Sequence, residues 1–244
     1  MQISIQLYSV RDALATDFQG ALQRLVDLGF SYAEPFNLLQ FSEDLVEASA
    51  RVPITFPSAH QSFLGDGDFQ EVLEAAQAVG VQYLIDPYWE REDWTDAGKV
   101  RALSARLNDR AAAAAAYGIR VGYHNHHFEI SSRLEGRSAL ELFAAELDPQ
   151  VILEVDTYWA AVAGVDVPVL LDTLGSRVQL VHLKDGDLSA DPGNQLPLGA
   201  GAMPLAGTLQ AAAGAAYGVI EFDDYAGDIF EGIDTSLAHL RRIL

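Results

Sequence analysis

The sequence contains no cysteine among its 244 residues. This absence excludes disulfides, thiolate metal sites and cysteine nucleophiles, so any metal ion must bind through oxygen and imidazole ligands. Basic residues are also scarce, with 15 Lys and Arg against 35 Asp and Glu, which gives a formal net charge of −20. Such a chain can hardly assemble the basic face that a phosphate backbone requires, so we expect no nucleic-acid partner.

Long apolar runs are absent as well. No segment reaches the ~18 uninterrupted apolar residues of a membrane span, and the N-terminus lacks the basic and apolar regions of a signal peptide. We therefore expect a cytoplasmic protein without a membrane partner, whose acidity serves as a solvated, repulsive surface. Half of the residues are hydrophobic, which is enough for a core, and the length suits one domain over residues 1–244.

One unit recurs along the chain: an alanine- or leucine-rich stretch, a glycine, and a short β-branched or aromatic run. The copies read LVDLG-FSYAEPF, AQAVG-VQYLIDPY, AAAYG-IRVGYHNH, DTLG-SRVQLVHLKD and GAAYG-VIEFDDY. Each unit predicts a helix, a glycine cap and a buried parallel strand. The predicted strands are residues 3–7, 32–35, 54–60, 83–86, 120–124, 151–156, 178–182 and 219–222. Eight such units favour a (β/α)8 TIM barrel, and no GxGxxG follows the first strand to indicate a doubly wound sheet.

Polar side chains stand where the predicted strands end, which is where this fold places its chemistry. Asp156, His182 and Glu221 follow apolar runs on three consecutive strands and should therefore converge at the mouth of the barrel. Two carboxylates and an imidazole suit Mn, Mg, Co or Zn. Alternatively, Asp156 caps a helix, His182 bonds the backbone and Glu221 pairs with a basic residue. The position of all three on adjacent strands favours the metal.

Four segments carry a resemblance to a known family: YHNHHFE from Tyr123, EVDTYW from Glu154, VHLKD from Val181 and IEFDD from Ile220. Together with the opening QLYSVRD, they resemble the sugar phosphate isomerase/epimerase superfamily, the xylose isomerase-like TIM barrels. The resemblance implies a divalent metal that binds vicinal oxygens of a keto or aldo sugar or polyol derivative.

The resemblance also implies one metal ligand from each of strands five to eight. Asp156, His182 and Glu221 match the last three of these positions. The strand-five glutamate is missing, because Tyr123 or a neighbour stands where the ketose epimerases carry it. Glu129, a few residues further on, is therefore the expected fourth ligand.

The implied reaction is isomerisation or epimerisation, with proton transfer through an enediolate whose charge the metal stabilises. Two opposed glutamates move the proton in the epimerases. With one of them displaced, we expect Glu221 to share the acid/base work with His126, Lys184 or His124. Lys184 has a plainer interpretation as one half of a salt bridge to Asp185 or Glu221.

His60 and His124 are expected to line the substrate pocket, and Trp159 to stack on a sugar ring. His60 is nearly as well explained by a structural hydrogen bond at a strand end. Few basic residues surround the predicted mouth, which favours an unphosphorylated small-molecule sugar as the partner. Relatives with this fold often assemble as dimers or tetramers, so a homo-oligomer is possible.

Other functions remain open on the same scaffold. A lyase could dehydrate an inosose or a 3-keto sugar, because α-proton abstraction precedes β-elimination as it precedes isomerisation. An endonuclease for abasic DNA would need a basic groove and more histidines than the six present. A sugar-binding or oligomerisation module without catalysis would show neither a tight divalent site nor enolisation of a keto sugar.

Overall fold

Eight parallel strands form the wall of a nearly closed barrel in the computed structural model, which describes residues 1–244. The strands are β1 Gln2–Gln6, β2 Ala33–Glu34, β3 Ser58–His60, β4 Tyr83–Asp86, β5 Arg120–His124, β6 Ile152–Asp156, β7 Val178–Leu183 and β8 Tyr217–Ile220. Their order in the sheet is β2-β1-β8-β7-β6-β5-β4-β3. An isolated parallel bridge between Tyr32 and Thr55 joins the two ends. The (β/α)8 TIM barrel is therefore confirmed.

Helices connect the strands and surround the wall. They are α1 Arg11–Thr16, α2 Phe18–Leu28, α3 Leu38–Ser49, α4 Phe69–Val79, α5 Ala97–Ala114, α6 Phe128–Ser131, α7 Ala139–Glu146, α8 Thr157–Val162, α9 Val167–Leu174, α10 Leu205–Ala211 and α11 Ile229–Ile243. Two short antiparallel ribbons pair Arg133–Leu134 with Arg137–Ser138 and Asp185–Gly186 with Gln195–Leu196. None of these helices combines the length and the apolar character that crossing a membrane requires.

The glycine turns of the repeated unit are present at most of the predicted places. Gly29 and Gly80 end α2 and α4 in the left-handed region, with φ of 103° and 88°. A side chain there would strain the backbone, which explains the choice of glycine. The prediction is wrong for Gly218, which lies inside β8. A Cβ at that position would come within 3.0 Å of the Leu183 side chain, so close packing explains this glycine.

Two predicted strands differ from the observed strands by more than one residue at an end. β3 begins at Ser58 rather than at residue 54, because Pro53 and Pro57 lack the amide that a strand ladder needs. β8 covers Tyr217–Ile220 and ends before Glu221, so this carboxylate stands just beyond the strand.

The inside of the barrel is layered. Ile85, Ile152, Leu180 and Val219 form a small buried cluster, separate from the 66-residue core cluster of the protein. Side chains two positions apart on a strand share a face. Consequently Glu154 and Asp156 lie on the same face of β6 as Ile152, and His182 lies on the same face of β7 as Leu180. Lys184 and Glu221 follow directly after the ends of β7 and β8. A polar layer therefore lies above an apolar plug.

Asp86 ties the segment after β3 to this polar end of the barrel. Its Oδ2 accepts hydrogen bonds from the amides of Phe63 and Leu64 at 2.7 and 2.8 Å, and its Oδ1 accepts one from Tyr88 at 3.3 Å. Burial outweighs these bonds and raises the pKa of Asp86 to about 6.

We expect Asp86→Ala to lower the free energy of unfolding by about 3 kcal/mol, because the buried amides of Phe63 and Leu64 lose their acceptor. Asp86→Asn keeps an acceptor oxygen and should cost about 1 kcal/mol. Urea denaturation followed by circular dichroism measures both values. Equal stability of the alanine variant and the parent would contradict this account of the loop.

Candidate functional site

The polar layer consists of two side-chain groups that share His182. The mouth group is Asp156, His182 and Glu221, whose ligand atoms all lie within 4.8 Å of one another. The inner group lies around the other side of the same imidazole and comprises Glu34, His60, His124, Glu154 and His182. The structure thus brings together the three residues that the sequence predicted to converge.

In the mouth group, Nδ1 of His182 lies 2.6 Å from Oε2 of Glu221. Asp156 does cap α8, since its Oδ1 accepts a 2.8 Å hydrogen bond from the Trp159 amide. Its Oδ2 accepts no well-directed hydrogen bond and is buried at the centre of the group. One oxygen of Asp156 therefore caps the helix, and the other faces the mouth group.

Lys184 brings a positive charge into the mouth group. Its Nζ lies 2.6 Å from Glu221 Oε2, and 2.8 Å each from Asp156 Oδ2 and Asp223 Oδ2. Burial lowers the pKa of Lys184, but these three carboxylates outweigh it and hold the pKa well above its usual value. The ammonium is thus an internal cation, placed where the carboxylates converge.

A chain of contacts fixes the position of this ammonium. Gln195 donates to Asp223 Oδ2 at 2.6 Å and accepts from the Asp223 amide at 2.8 Å. The ribbon that carries Gln195 is itself held by Asp185, whose buried carboxylate accepts hydrogen bonds from the amides of Gly199, Gly201 and Met203. The glycine-rich loop after β7 therefore supports the carboxylates around Lys184.

The inner group places two buried glutamates among imidazoles. His60 Nε2 lies 2.5 Å from Glu154 Oε2, and His182 Nε2 lies 2.8 Å from Glu34 Oε1. Burial lowers the pKa of His60, but Glu154 and Glu34 outweigh it and raise the pKa to about 10. Burial and Glu34 raise the pKa of Glu154, but His182 and His60 outweigh them and bring it to about 2.

His124 completes the inner group as an uncharged ring. Its Nδ1 lies 3.1 Å from Glu154 Oε2. Burial and the nearby His182 hold its pKa well below the usual value for histidine. His124 can therefore offer a lone pair to a ligand at neutral pH.

Glu129 lies away from both groups. Its Oε1 accepts a 3.0 Å hydrogen bond from the Tyr123 hydroxyl, and its Oε2 accepts one of 2.8 Å from the His126 amide. The cause is that successive side chains of β5 point to opposite faces. His124 faces the barrel interior, whereas Tyr123, which bonds to Glu129, packs outward against Trp94 and Phe143. The structure does not bring the expected strand-five ligand to Asp156.

A cavity of about 310 Å³ opens beside the polar layer. It is lined by Tyr8, Phe36, Asn37, His60, Pro87, Tyr88, His124, His126, Glu221 and Asp223. Of the residues predicted to act on a substrate, His60, His124, His126 and Glu221 are therefore on its wall. Lys184 and Trp159 are not; they lie behind it, with Nζ 5.8 Å from the indole centroid.

Three residues of the polar layer have no role in the sequence prediction: Glu34, Glu154 and Asp223. Glu34 and Asp223 are recognisable as polar strand ends. Glu154 interrupts the apolar run VILEVD two positions before Asp156, and the period of a strand places both side chains inside the barrel. That spacing was the available signal.

The donor set of the polar layer fits a divalent cation. Glu34 Oε2 and Glu154 Oε1 are buried without a hydrogen-bond partner, which is costly unless a charge compensates them, and Asp156 Oδ2 is compensated by Lys184 at 2.8 Å. Imidazole nitrogen and carboxylate oxygen are ligands that zinc and other transition-metal ions accept.

Residues 22–243 match the family described as xylose isomerase-like TIM barrel. The chain belongs to this family. This xylose isomerase-like barrel is 31% identical over 100 residues to an inosose dehydratase of Lactiplantibacillus plantarum; the match covers 41% of the chain but only 30% of the length of that relative.

Solved structures agree on the fold. A sugar phosphate isomerase/epimerase from Parabacteroides distasonis aligns with a TM-score of 0.84 and 21% identity, covering 98% of this chain and 93% of the other. The IOLI protein, solved with a zinc atom, aligns with a TM-score of 0.78 and 16% identity over 100% of this chain and 98% of the other.

We expect Lys184→Met to tighten binding of Co²⁺ or Mn²⁺ by at least about tenfold, equivalent to about 1.4 kcal/mol. The reason is that the ammonium and a dication compete for the carboxylates of Asp156 and Glu221. Isothermal titration calorimetry of metal-free protein measures the affinity. Lys99→Met, which removes an exposed ion pair with Asp93, is the matched control and should change nothing. Unchanged or weaker binding by Lys184→Met would refute the competition.

Proposed function

We propose that the chain is a divalent-metal-dependent isomerase or epimerase of a keto or aldo sugar or polyol derivative. The observation that carries the proposal is the convergence of Asp156, His182 and Glu221 beside a cavity whose wall includes His126. Family membership supplies the scaffold, and these side chains supply the chemistry.

Asp156, His182 and Glu221 are the residues that would hold the functional metal. When bound there, the metal would polarise the substrate carbonyl and stabilise the negative charge that develops on its oxygen. Fewer than four protein ligands leave coordination positions for a sugar. Glu129 is not in the proposed ligand set, because its two oxygens accept hydrogen bonds from the Tyr123 hydroxyl and the His126 amide.

His126 is the proposed proton carrier at the substrate carbon. Its side chain is 30% exposed, and its Nδ1 lies 3.5 Å from Glu129 Oε1. The ring stacks on Phe128 at 5.4 Å, which fixes its plane. Glu129 holds the His126 backbone through its amide, Phe128 orients the ring, and the exposed edge is free to take a proton from the substrate and return it.

Glu221 is the proposed second proton carrier, because it lies on the cavity wall and contacts Lys184. Burial raises the pKa of Glu221, but Lys184 and His182 outweigh it and hold the pKa below the usual range for glutamate. Lys184 reaches the cavity only through Glu221 and Asp223, so it acts by holding their charges in place.

The cavity wall indicates the class of substrate. Tyr8, Phe36 and Tyr88 contribute aromatic rings to the cavity wall, whereas Trp159 lies behind Lys184. The lining residues include no lysine or arginine, and Glu221 and Asp223 would repel a phosphate. These features support an unphosphorylated sugar or polyol.

A dehydratase acting on an inosose or a 3-keto sugar is the second candidate. The sequence match to an inosose dehydratase favours it, and so does the unequal pair of carriers, an imidazole and a carboxylate. Both reactions begin with removal of a proton beside a carbonyl. The mass of the product distinguishes them, because isomerisation conserves mass and dehydration loses water.

We expect the Mn²⁺- or Co²⁺-loaded protein to exchange solvent deuterium into a carbon-bound position of at least one member of a panel of keto sugars and inososes. His182→Ala should abolish both metal retention and exchange while the circular dichroism spectrum stays unchanged. If the purified variant held as much metal as the parent, the ligand assignment would be wrong.

We expect His126→Ala to lower the exchange rate by about 10²- to 10⁴-fold, the usual contribution of a general acid or base. Metal content should stay at the level of the parent, because His126 is outside the mouth group. His127→Ala is the matched control, since the neighbouring ring packs on Trp159 and is absent from the cavity wall. Equal rates for the two variants would exclude His126 as the carrier.

A further inference from the structure

Four atoms of the inner group form a closed ring in which imidazole nitrogen and carboxylate oxygen alternate. His60 Nε2 lies 2.5 Å from Glu154 Oε2, which lies 3.1 Å from His182 Nε2. His182 Nε2 lies 2.8 Å from Glu34 Oε1, and that oxygen lies 3.2 Å from His60 Nε2. Four donor atoms from four different strands thus surround one point.

These separations are close to those of atoms bound to one transition-metal ion. Ligand bonds of about 2.0–2.2 Å place neighbouring donors about 2.8–3.6 Å apart, for square or tetrahedral geometry. Three of the four separations fall in this range and one is shorter. The rings of His60 and His182 are nearly parallel, with planes 2° apart and centroids 5.3 Å apart.

The two glutamates supply a second, independent observation. Each is fully buried, and the carboxylate oxygen that lies outside the ring, Glu34 Oε2 or Glu154 Oε1, has no hydrogen-bond partner. Two carboxylates with two neutral imidazoles balance the charge of one dication. Gln6 donates a 2.9 Å hydrogen bond to Glu34 Oε1 and so orients that carboxylate.

The inner group is distinct from the mouth group. The mouth group faces Nδ1 of His182, whereas the inner ring uses Nε2 of the same imidazole. Asp156 and Glu221 take no part in the ring. An ion could enter from the cavity, because His60 and His124 stand on its wall.

We propose that Glu34, His60, Glu154 and Nε2 of His182 form a second divalent-cation site beneath the mouth group. Two imidazoles and two carboxylates suit Zn²⁺ or Co²⁺. With both sites filled, both ring nitrogens of His182 would be ligands, and the protons held on them and on His60 Nε2 would pass to solvent. The inner site goes beyond the proposed function and shares only His182 with it.

The test counts metal ions per chain after dialysis of the full-length protein against Co²⁺, using the parent, Glu154→Gln and Asp156→Asn. We expect two ions in the parent and one in each variant. The visible absorption of Co²⁺ should identify the ion that remains, because an N2O2 tetrahedral site keeps its intense band in Asp156→Asn and loses it in Glu154→Gln. Glu135→Gln, at an exposed position, is the control and should retain two ions.

The possible failures are distinguishable. One ion that survives Glu154→Gln and disappears in Asp156→Asn would overturn the inner site and leave the proposed function intact. One ion with the opposite response would support the inner site and remove the ligand set of the proposed function, and a parent without any ion would overturn both. Glu34→Gln repeats the test from another strand if Glu154→Gln does not fold, as circular dichroism would show.

Discussion

Buried charge that must be balanced inside the barrel is the constraint on which the site depends. Carboxylates in an apolar interior cost several kcal/mol each unless opposite charge compensates them. Lys184 does so for Asp156, Glu221 and Asp223, and imidazoles do so for the inner glutamates. The apolar plug beneath offers no polar group on that side, so side chains or a bound ion must compensate these charges.

The need to balance buried charge also explains why the charged groups stand at fixed heights in the barrel. Each charged group comes from a different strand, and the register of neighbouring strands sets its height, as in the pairing of Asp156 with His182. Because the backbone fixes these oxygens, a lysine ammonium, ring protons and a divalent cation would be alternative partners for them.

The sequence predicts the fold well, because glycine-capped helices and short apolar strands repeat throughout the chain and each unit is locally recognisable. It also predicts the convergence of Asp156, His182 and Glu221, since adjacent strands end side by side. Attention to strand ends alone overlooks Glu154, which lies in the body of β6. Glu129 bonds to Tyr123, and the position of Glu129 therefore depends on whether Tyr123 points into or out of the barrel. A shift of one residue along β5 would reverse that direction.

The closure of the barrel has a weak line between β2 and β3. Every other neighbouring pair of strands is joined by two to four paired residues, whereas these two are joined by one bridge. Glu34 ends β2, His60 ends β3, and the two side chains meet across that line at 3.2 Å. The charges on Glu34 and His60 therefore also affect how strongly β2 and β3 are held together. A change in the ionisation of the site would alter the closure of the barrel as well as its chemistry.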